Sequence, residues 1–494
     1  MFTRITSSFR RTSLPLPQPT QSQYAPPPAP DGTLSTLSPA QPALEPHPET
    51  DDLPIYISPS ELARSVHTFA LKTNGEPWLS LSLSSSAGQA TSHPLFFDTA
   101  VFQGNVTLIL GKELQLQTIT LLLEGFTRTA GSEQKTFLSL STLLFPPSEP
   151  APGDSTKLTQ GTHAFPFDFA LPPTVTVPYE GGTVIAPLPP TYSTKGFPAF
   201  LEYQLTVVVH RGALRVDNTL STTVVYLPRS RPKPPSPARQ LAYQNLTQPP
   251  GPEEDPEGWA EVGTELRGRM FGSLEIGVRC TMHLARPLCY ARGTPIPFLI
   301  TFLSPQPQAS QALDLLTQPS NLKLTLEQIV TVGPDALRTK NALQSQGNPS
   351  NTFGRIVAVA RGGVVLPDQP GPGAGAGERR IRGEIPVPRE LKPSFTFVRF
   401  TLSYKINLLL DAVGFLPEKH THAVLSQQVA ITTDLPRGPR QPPPVPSSGG
   451  KRSSVDGPGP GNGLGGPGGT SGDTVNLLLL GNQRYMQHHH AGPQ

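Results

Sequence analysis

Along most of this chain, apolar residues return at every second position. Leu79, Leu81 and Leu83 alternate with Ser80, Ser82 and Ser84, and an Asn74-Gly75 pair just upstream suits a tight hairpin turn. Phe165, Phe167, Phe169 and Leu171 share one side, as do Tyr203, Leu205, Val207 and Val209, with Glu202, Gln204 and Thr206 opposite. The longest run is Val398, Phe400, Leu402, Tyr404, Ile406 and Leu408, interleaved by Arg399, Thr401, Ser403, Lys405 and Asn407. A helix would scatter these apolar groups around its axis, whereas a strand collects them on one face. The pattern predicts antiparallel strands with one face on a core and one in water, the makings of a β-sandwich. One short helix is expected, where Ser58-Pro59-Ser60-Glu61 has the form of a capping box and Leu62, Val66 and Phe69 follow.

Composition sharpens this. The 61 prolines and 45 glycines make about a fifth of the 494 residues. Each proline removes an N–H donor and clashes one turn back, which argues against helical bundles and most parallel α/β enzymes. Residues 1–52 and 436–494 are rich in Pro, Ser, Thr, Gln or Gly and poor in paired apolar groups. They are expected to stay disordered, because they bury too little surface to offset the entropy of ordering. The stretch 229–263 opens on Arg-Ser-Arg-Pro-Lys-Pro-Pro-Ser-Pro and reads as a proline-rich linker between ordered halves at 53–228 and 264–435. The halves echo each other: an apolar strand ending at Pro172 or Pro388 is followed by one carrying Phe200 and Tyr203, or Phe400 and Tyr404.

Charge and cysteine content exclude several classes. A formal net charge of +3 gives no electrostatic footprint for nucleic acid. Cys280 and Cys289 are too few for a disulfide framework or a cysteine-based zinc site, and are expected as reduced thiols. No run approaches the ~18 apolar residues of a membrane helix. Arg4, Arg10 and Arg11 give the N-terminus a transit-peptide composition, but prolines from Pro15 onward spoil the amphipathic helix such a peptide needs.

Several segments resemble the arrestin family. In the first half these are Pro94-Leu-Phe, Val101-Phe-Gln-Gly104-Asn-Val106, Ile119 to Gly125, Phe165 to Pro172, Leu188-Pro-Pro-Thr-Tyr192 and Tyr203 to Arg211. In the second they are Tyr290-Ala-Arg-Gly293-Thr-Pro-Ile-Pro-Phe298 and Gly383-Glu-Ile-Pro-Val-Pro388. In order and spacing the chain is most similar to fungal α-arrestins, the arrestin-related trafficking adaptors. The resemblance implies an all-β arrangement of two immunoglobulin-like β-sandwich domains with no active site and no cofactor. It also implies a cytoplasmic adaptor, peripherally at the plasma membrane or endosomes, that binds cytosolic tails of membrane transporters or receptors. Many family members recruit WW-domain HECT ubiquitin ligases through Pro-Pro-x-Tyr, so that cargo is ubiquitinated and endocytosed. The alternative is an inert scaffold for vesicle-trafficking or signalling complexes without ligase recruitment.

Linear motifs supply candidate sites. Pro189, Pro190 and Tyr192 form the chain's single Pro-Pro-x-Tyr, whose polyproline geometry suits an aromatic groove. The same tyrosine falls where the arrestin pattern packs an aromatic inward, so ligase binding and core packing are competing readings. Arg229, Pro232 and Pro235, and likewise Arg440, Pro443 and Pro446, fit the Arg-x-x-Pro-x-x-Pro pattern of SH3-domain ligands. Ser13, Ser453 and Ser454 follow Arg-Arg or Lys-Arg pairs and are candidate phosphosites for basophilic kinases. Arg379, Arg380, Arg382 and Arg389 cluster after a glycine-rich loop and are a candidate basic patch for acidic headgroups or phosphorylated tails. Enzyme signatures fail: Gly461 to Gly466 fits Gly-x-Gly-x-x-Gly without a strand before it or a helix after it, and neither Gly-x-Ser-x-Gly nor His-Glu-x-x-His occurs.

Overall fold

The computed structural model of the chain describes residues 65–439, apart from 86–92, 99–100, 130–132, 147–156, 180, 195–196, 212–214, 334–335, 337–352, 369–376 and 419–422. The arm 1–52, the capping box at Ser58 to Glu61 and nearly all of the tail 436–494 lie outside the described residues.

The protein is all-β, built as two β-sandwiches. The first uses β1 (Ser65–Thr73), β2 (Glu76–Ser85), β3 (Leu95–Phe97), β4 (Val101–Leu110), β5 (Thr118–Thr129), β6 (Lys135–Phe145), β7 (Gly161–Ala170), β8 (Ala199–His210) and β9 (Asn218–Leu227). One sheet runs β1-β2-β4-β7 and the other β3-β9-β8-β5-β6. The second uses β10 (Trp259–Met270), β11 (Leu274–Ala285), β12 (Cys289–Ala291), β13 (Pro295–Leu303), β14 (Leu322–Val332), β15 (Phe353–Arg361), β16 (Glu378–Pro386), β17 (Phe400–Leu410) and β18 (Leu425–Thr432). Its sheets contain β10-β11-β13-β16 and β12-β18-β17-β14-β15.

Every strand of the first sandwich thus has a counterpart nine places on, with the same neighbours. The correspondence extends to the one parallel pairing in each half, Leu95 opposite Val225 and Cys289 opposite Ala430. The echo between β7–β8 and β16–β17 belongs to this repeat. Decoration differs: the first half adds a hairpin of Thr174–Tyr179 with Gly182–Pro187, the second an edge strand Gly363–Asp368 beside β16 and Phe415–Pro417 beside β10. Two short helices occur among the described residues, α1 (Pro237–Gln244) and α2 (Ser310–Leu316).

The alternation in sequence maps onto the cores. Leu79, Leu81 and Leu83 are fully buried, and Asn74 and Gly75 close the β1–β2 hairpin with φ of 54° and 88°. Both values are positive, as the turn favoured between twisted strands requires. Three expectations need correction. Val66 and Phe69 lie on β1, not a helix, because the inward phase there is Ser65, His67, Phe69 and Leu71, a period of two. Val398 is not in the strand; it turns the chain into β17 with φ of 48°. The polar side of β17 is not in water either, since Thr401, Ser403 and Asn407 are buried. β17 is a central strand, flanked by β14 and β18, and Asn407 accepts a hydrogen bond from Ser426 at 2.6 Å.

The stretch 229–263 is an ordered strap rather than a bare linker. Ser236 caps α1 by accepting from the Arg239 N–H. Arg239 is 1% exposed and its guanidinium stacks on Trp259 at 4.5 Å, while the Trp259 indole donates to the Pro250 carbonyl at 3.0 Å. The second sandwich therefore begins at Trp259, five residues before the sequence suggests.

Candidate interaction surfaces

The two sandwiches meet through equivalent corners. In the first, Leu188-Pro189-Pro190-Thr191-Tyr192 precedes β8; in the second, Leu391-Lys392-Pro393-Ser394-Phe395 precedes β17. Tyr203 donates its hydroxyl to the Pro189 carbonyl at 2.6 Å, and Tyr404 donates to the Lys392 carbonyl at 2.5 Å. The Thr191 N–H donates to the Tyr226 carbonyl while Thr191 Oγ1 accepts from the Tyr226 N–H. Ser394 repeats this with Ile431, bond for bond. Tyrosines anchoring a corner in this way recur in immunoglobulin-like sandwiches.

The corner side chains then pack on each other. The ring of Tyr192 lies 5.6 Å from Phe395 and 5.0 Å from Phe400, and Phe137 of β6 lies 5.0 Å from Phe397. Tyr192 is 1% exposed and its hydroxyl finds no partner among the described residues; burial pushes the phenol pKa well up. Lys392 crosses the same contact: its ammonium sits 4.5 Å from the Tyr192 ring and donates to the Ser193 carbonyl. Burial lowers its pKa from 10.5 to about 7, and no carboxylate forms an ion pair with it among the described residues. Sequence reasoning missed Lys392. The signal was available in the match of Leu-Lys-Pro-Ser-Phe to Leu-Pro-Pro-Thr-Tyr.

This geometry bears on the two readings of the Pro-Pro-x-Tyr. Pro189, Pro190 and Tyr192 are all buried. A WW groove clasps a solvent-exposed polyproline turn, so this copy is out of reach while the sandwiches touch.

The candidate basic patch is divided and occupied. Period two sends Arg380 and Arg382 to one side of β16 and Arg379 to the other. Arg380 pairs with Glu253 at 2.6 Å and Glu378 at 2.5 Å, and Arg382 donates to the Pro249 carbonyl at 3.1 Å, so both hold down the strap. Arg379 pairs with Asp314 of α2 at 2.7 Å. Arg389 is exposed, with its stem against Gly293. No shared anion cradle remains among them.

The first SH3-type motif is likewise pinned. Pro232 is buried, and Ser230 exchanges hydrogen bonds with Thr433, so Arg229, Pro232 and Pro235 belong to a strap seated on the second sandwich. The motif at Arg440, Pro443 and Pro446, and the phosphosites Ser13, Ser453 and Ser454, lie outside the described residues.

An apolar tip closes the far end of the second sandwich, unmarked by any sequence motif. Phe271, in the β10–β11 turn, is 73% exposed; Val413 and Leu416, before and within the strand Phe415–Pro417, are 87% and 60% exposed. The Phe271 N–H donates to the Gly414 carbonyl at 2.7 Å, which binds the two loops side by side. Beside the tip lies an open concavity of about 1020 Å³ against β10 and β11, where Arg267 pairs with Glu265 at 3.4 Å, Arg269 with Glu275 at 3.0 Å, and Arg279 adds a further cation. Cys280 is buried and its thiol pKa is pushed up to about 12 by burial, so it is inert toward metals and oxidants. No cluster of metal-ligating side chains occurs among the described residues, and no helix there is long and apolar enough to cross a membrane. Compared with models of known protein families and with curated proteins, the chain matches none.

Proposed function

We propose that the chain is a non-enzymatic adaptor that attaches peripherally to a membrane and binds cytosolic segments of membrane transporters or receptors, linking them to endocytic machinery. The apolar tip carries this reading. Three large hydrophobic side chains held more than half exposed on two adjoining turns and the edge strand beside them are costly in water and suit the interfacial zone of a bilayer. With the tip on the membrane, the concavity beside it faces whatever protrudes from the same leaflet. The resemblance to α-arrestins supports the same role.

The burial of Tyr192 favours a second reading, a scaffold that brings trafficking or signalling proteins together without recruiting a ubiquitin ligase through its Pro-Pro-x-Tyr. Sedimentation with anionic vesicles tests the membrane arm: the full chain should pellet, and Phe271→Asp with Val413→Asp should stay in the supernatant with unchanged melting. Equal pelleting of both would sink the membrane arm. Titration of WW domains separates the readings, since saturable binding abolished by Tyr192→Phe would favour the ligase adaptor.

A further inference from the structure

The strap and the chain's exit from β18 meet in a cleft of about 480 Å³. Its charged lining is Arg229, Arg231, Lys233 and Arg437 against Asp98 and Asp434. Both carboxylates are already engaged: Asp98 accepts from the Arg229 backbone N–H at 2.6 Å and Asp434 from the Arg231 guanidinium at 3.3 Å. The Arg229 guanidinium lies over the Phe97 ring at 4.5 Å. Lys233 and Arg437 are exposed and have no ion pair among the described residues. The backbone presenting these cations is fixed beforehand. Ser230 donates to Thr433 Oγ1 at 2.7 Å and its carbonyl accepts from the Asp434 N–H at 2.9 Å, while Pro232 and Pro234 lock their own φ angles.

We propose that this cleft is a phosphomonoester site, filled by a phosphorylated serine of the chain's own C-terminal segment, Ser453 or Ser454. The charges are complementary: four cations and two acids leave an excess of two positive charges, and a phosphoserine carries about −1.5 to −2. Arg437, which lines the cleft, stands two residues before the end of the described chain, and Ser453 follows it sixteen residues later. Sixteen residues span at most roughly 55 Å, ample to return to the cleft. The tether also raises the local serine concentration to the millimolar range, enough for a weak contact to be occupied. Lys451 and Arg452, just before the serines, provide the basic context that directs a basophilic kinase to them. Asp98 comes from the first sandwich, Arg229, Arg231 and Lys233 from the strap, and Asp434 and Arg437 from the chain leaving the second, so the cleft lies where all three meet.

The test uses the full chain carrying Ser453→Ala and Ser454→Ala, titrated with a labelled peptide of residues 448–458 phosphorylated on both serines. Binding should weaken roughly tenfold or more when the peptide lacks phosphate, or when the protein carries Lys233→Ala with Arg437→Ala. Millimolar inorganic phosphate should compete. The two substituted cations are exposed, so melting should not change. Equal affinity for the unphosphorylated peptide, or unchanged affinity in the double variant, overturns the proposal. So does a double variant that loses binding only to phosphoinositide vesicles, which would make a lipid headgroup the occupant.

Discussion

The corner before β8 reads Leu-Pro-Pro-Thr-Tyr and the corner before β17 reads Leu-Lys-Pro-Ser-Phe, and the bonds that hold their backbones are the same in both. What differs is the pair of side chains each turns toward the other half. The first offers the ring of Tyr192; the second offers Phe395 and the ammonium of Lys392, which rests on that ring. Two identical corners bearing lysine would bring two buried cations together, and two bearing tyrosine would leave two hydroxyls stranded. The repeat preserved the positions that form the turn and diverged at the positions that touch, so that a symmetric frame carries a complementary contact.

The largest effect expected from breaking this comparison is on the first corner. Tyr192→Ala removes a ring packed between Phe395, Phe400 and Lys392 and should cost about 3–5 kcal/mol, read as a fall in melting temperature. Tyr192→Phe should be neutral or slightly stabilising, because the hydroxyl it deletes is buried without a partner among the described residues.

Next comes the buried cation. Lys392→Met removes a charge that lacks an anion and should stabilise by about 1–4 kcal/mol at pH 7. The sign of its pH dependence follows from the lowered pKa. Between about 7 in the folded chain and 10.5 in the unfolded one, the unfolded state binds more protons. Stability should therefore rise with pH across that window, with the full penalty present below it. The buried tyrosines oppose this above pH 10, where their raised pKa values favour the folded state less and less. The rising limb should vanish in Lys392→Met, as followed by denaturant midpoints from pH 6 to 10.

A smaller effect separates the anchoring tyrosines. Tyr203→Phe leaves one carbonyl without a donor, whereas Tyr404→Phe also deprives Gln328 of an acceptor at 2.8 Å. Each should cost about 1–2 kcal/mol, with Tyr404→Phe the larger. Smallest of all, Thr191→Val and Ser394→Ala should each lose about 1 kcal/mol for one hydrogen bond to a backbone N–H. A double variant measures whether the two corners act independently.

The strands were legible because a period of two survives in sequence wherever one side must be apolar. The runs at Leu79 to Leu83 and Phe400 to Leu408 became strands with those residues inside. Illegible features depend on what lies across space. Proline-rich chain at 229–258 reads as a spacer, yet Arg239, Trp259, Arg380 and Arg382 draw it onto the second sandwich. The arginines looked like one patch along the chain, but strand geometry parts Arg379 from its neighbours, and Arg379, Arg380 and Arg382 each find a partner of their own. The apolar tip depends on two loops some 140 residues apart in sequence, Phe271 and Val413, which no linear motif joins.

The aromatic contact at the corners also governs how the molecule can be taken apart. Severing the chain near residue 229 would strip the cover from Tyr192 on one piece and from Phe395, Phe397 and Phe400 on the other, leaving each with a greasy, unpaired flank. Isolated halves would then stick to one another and to bystanders. Mapping a binding partner by truncation would report that adhesiveness, whereas point changes in the intact chain would not.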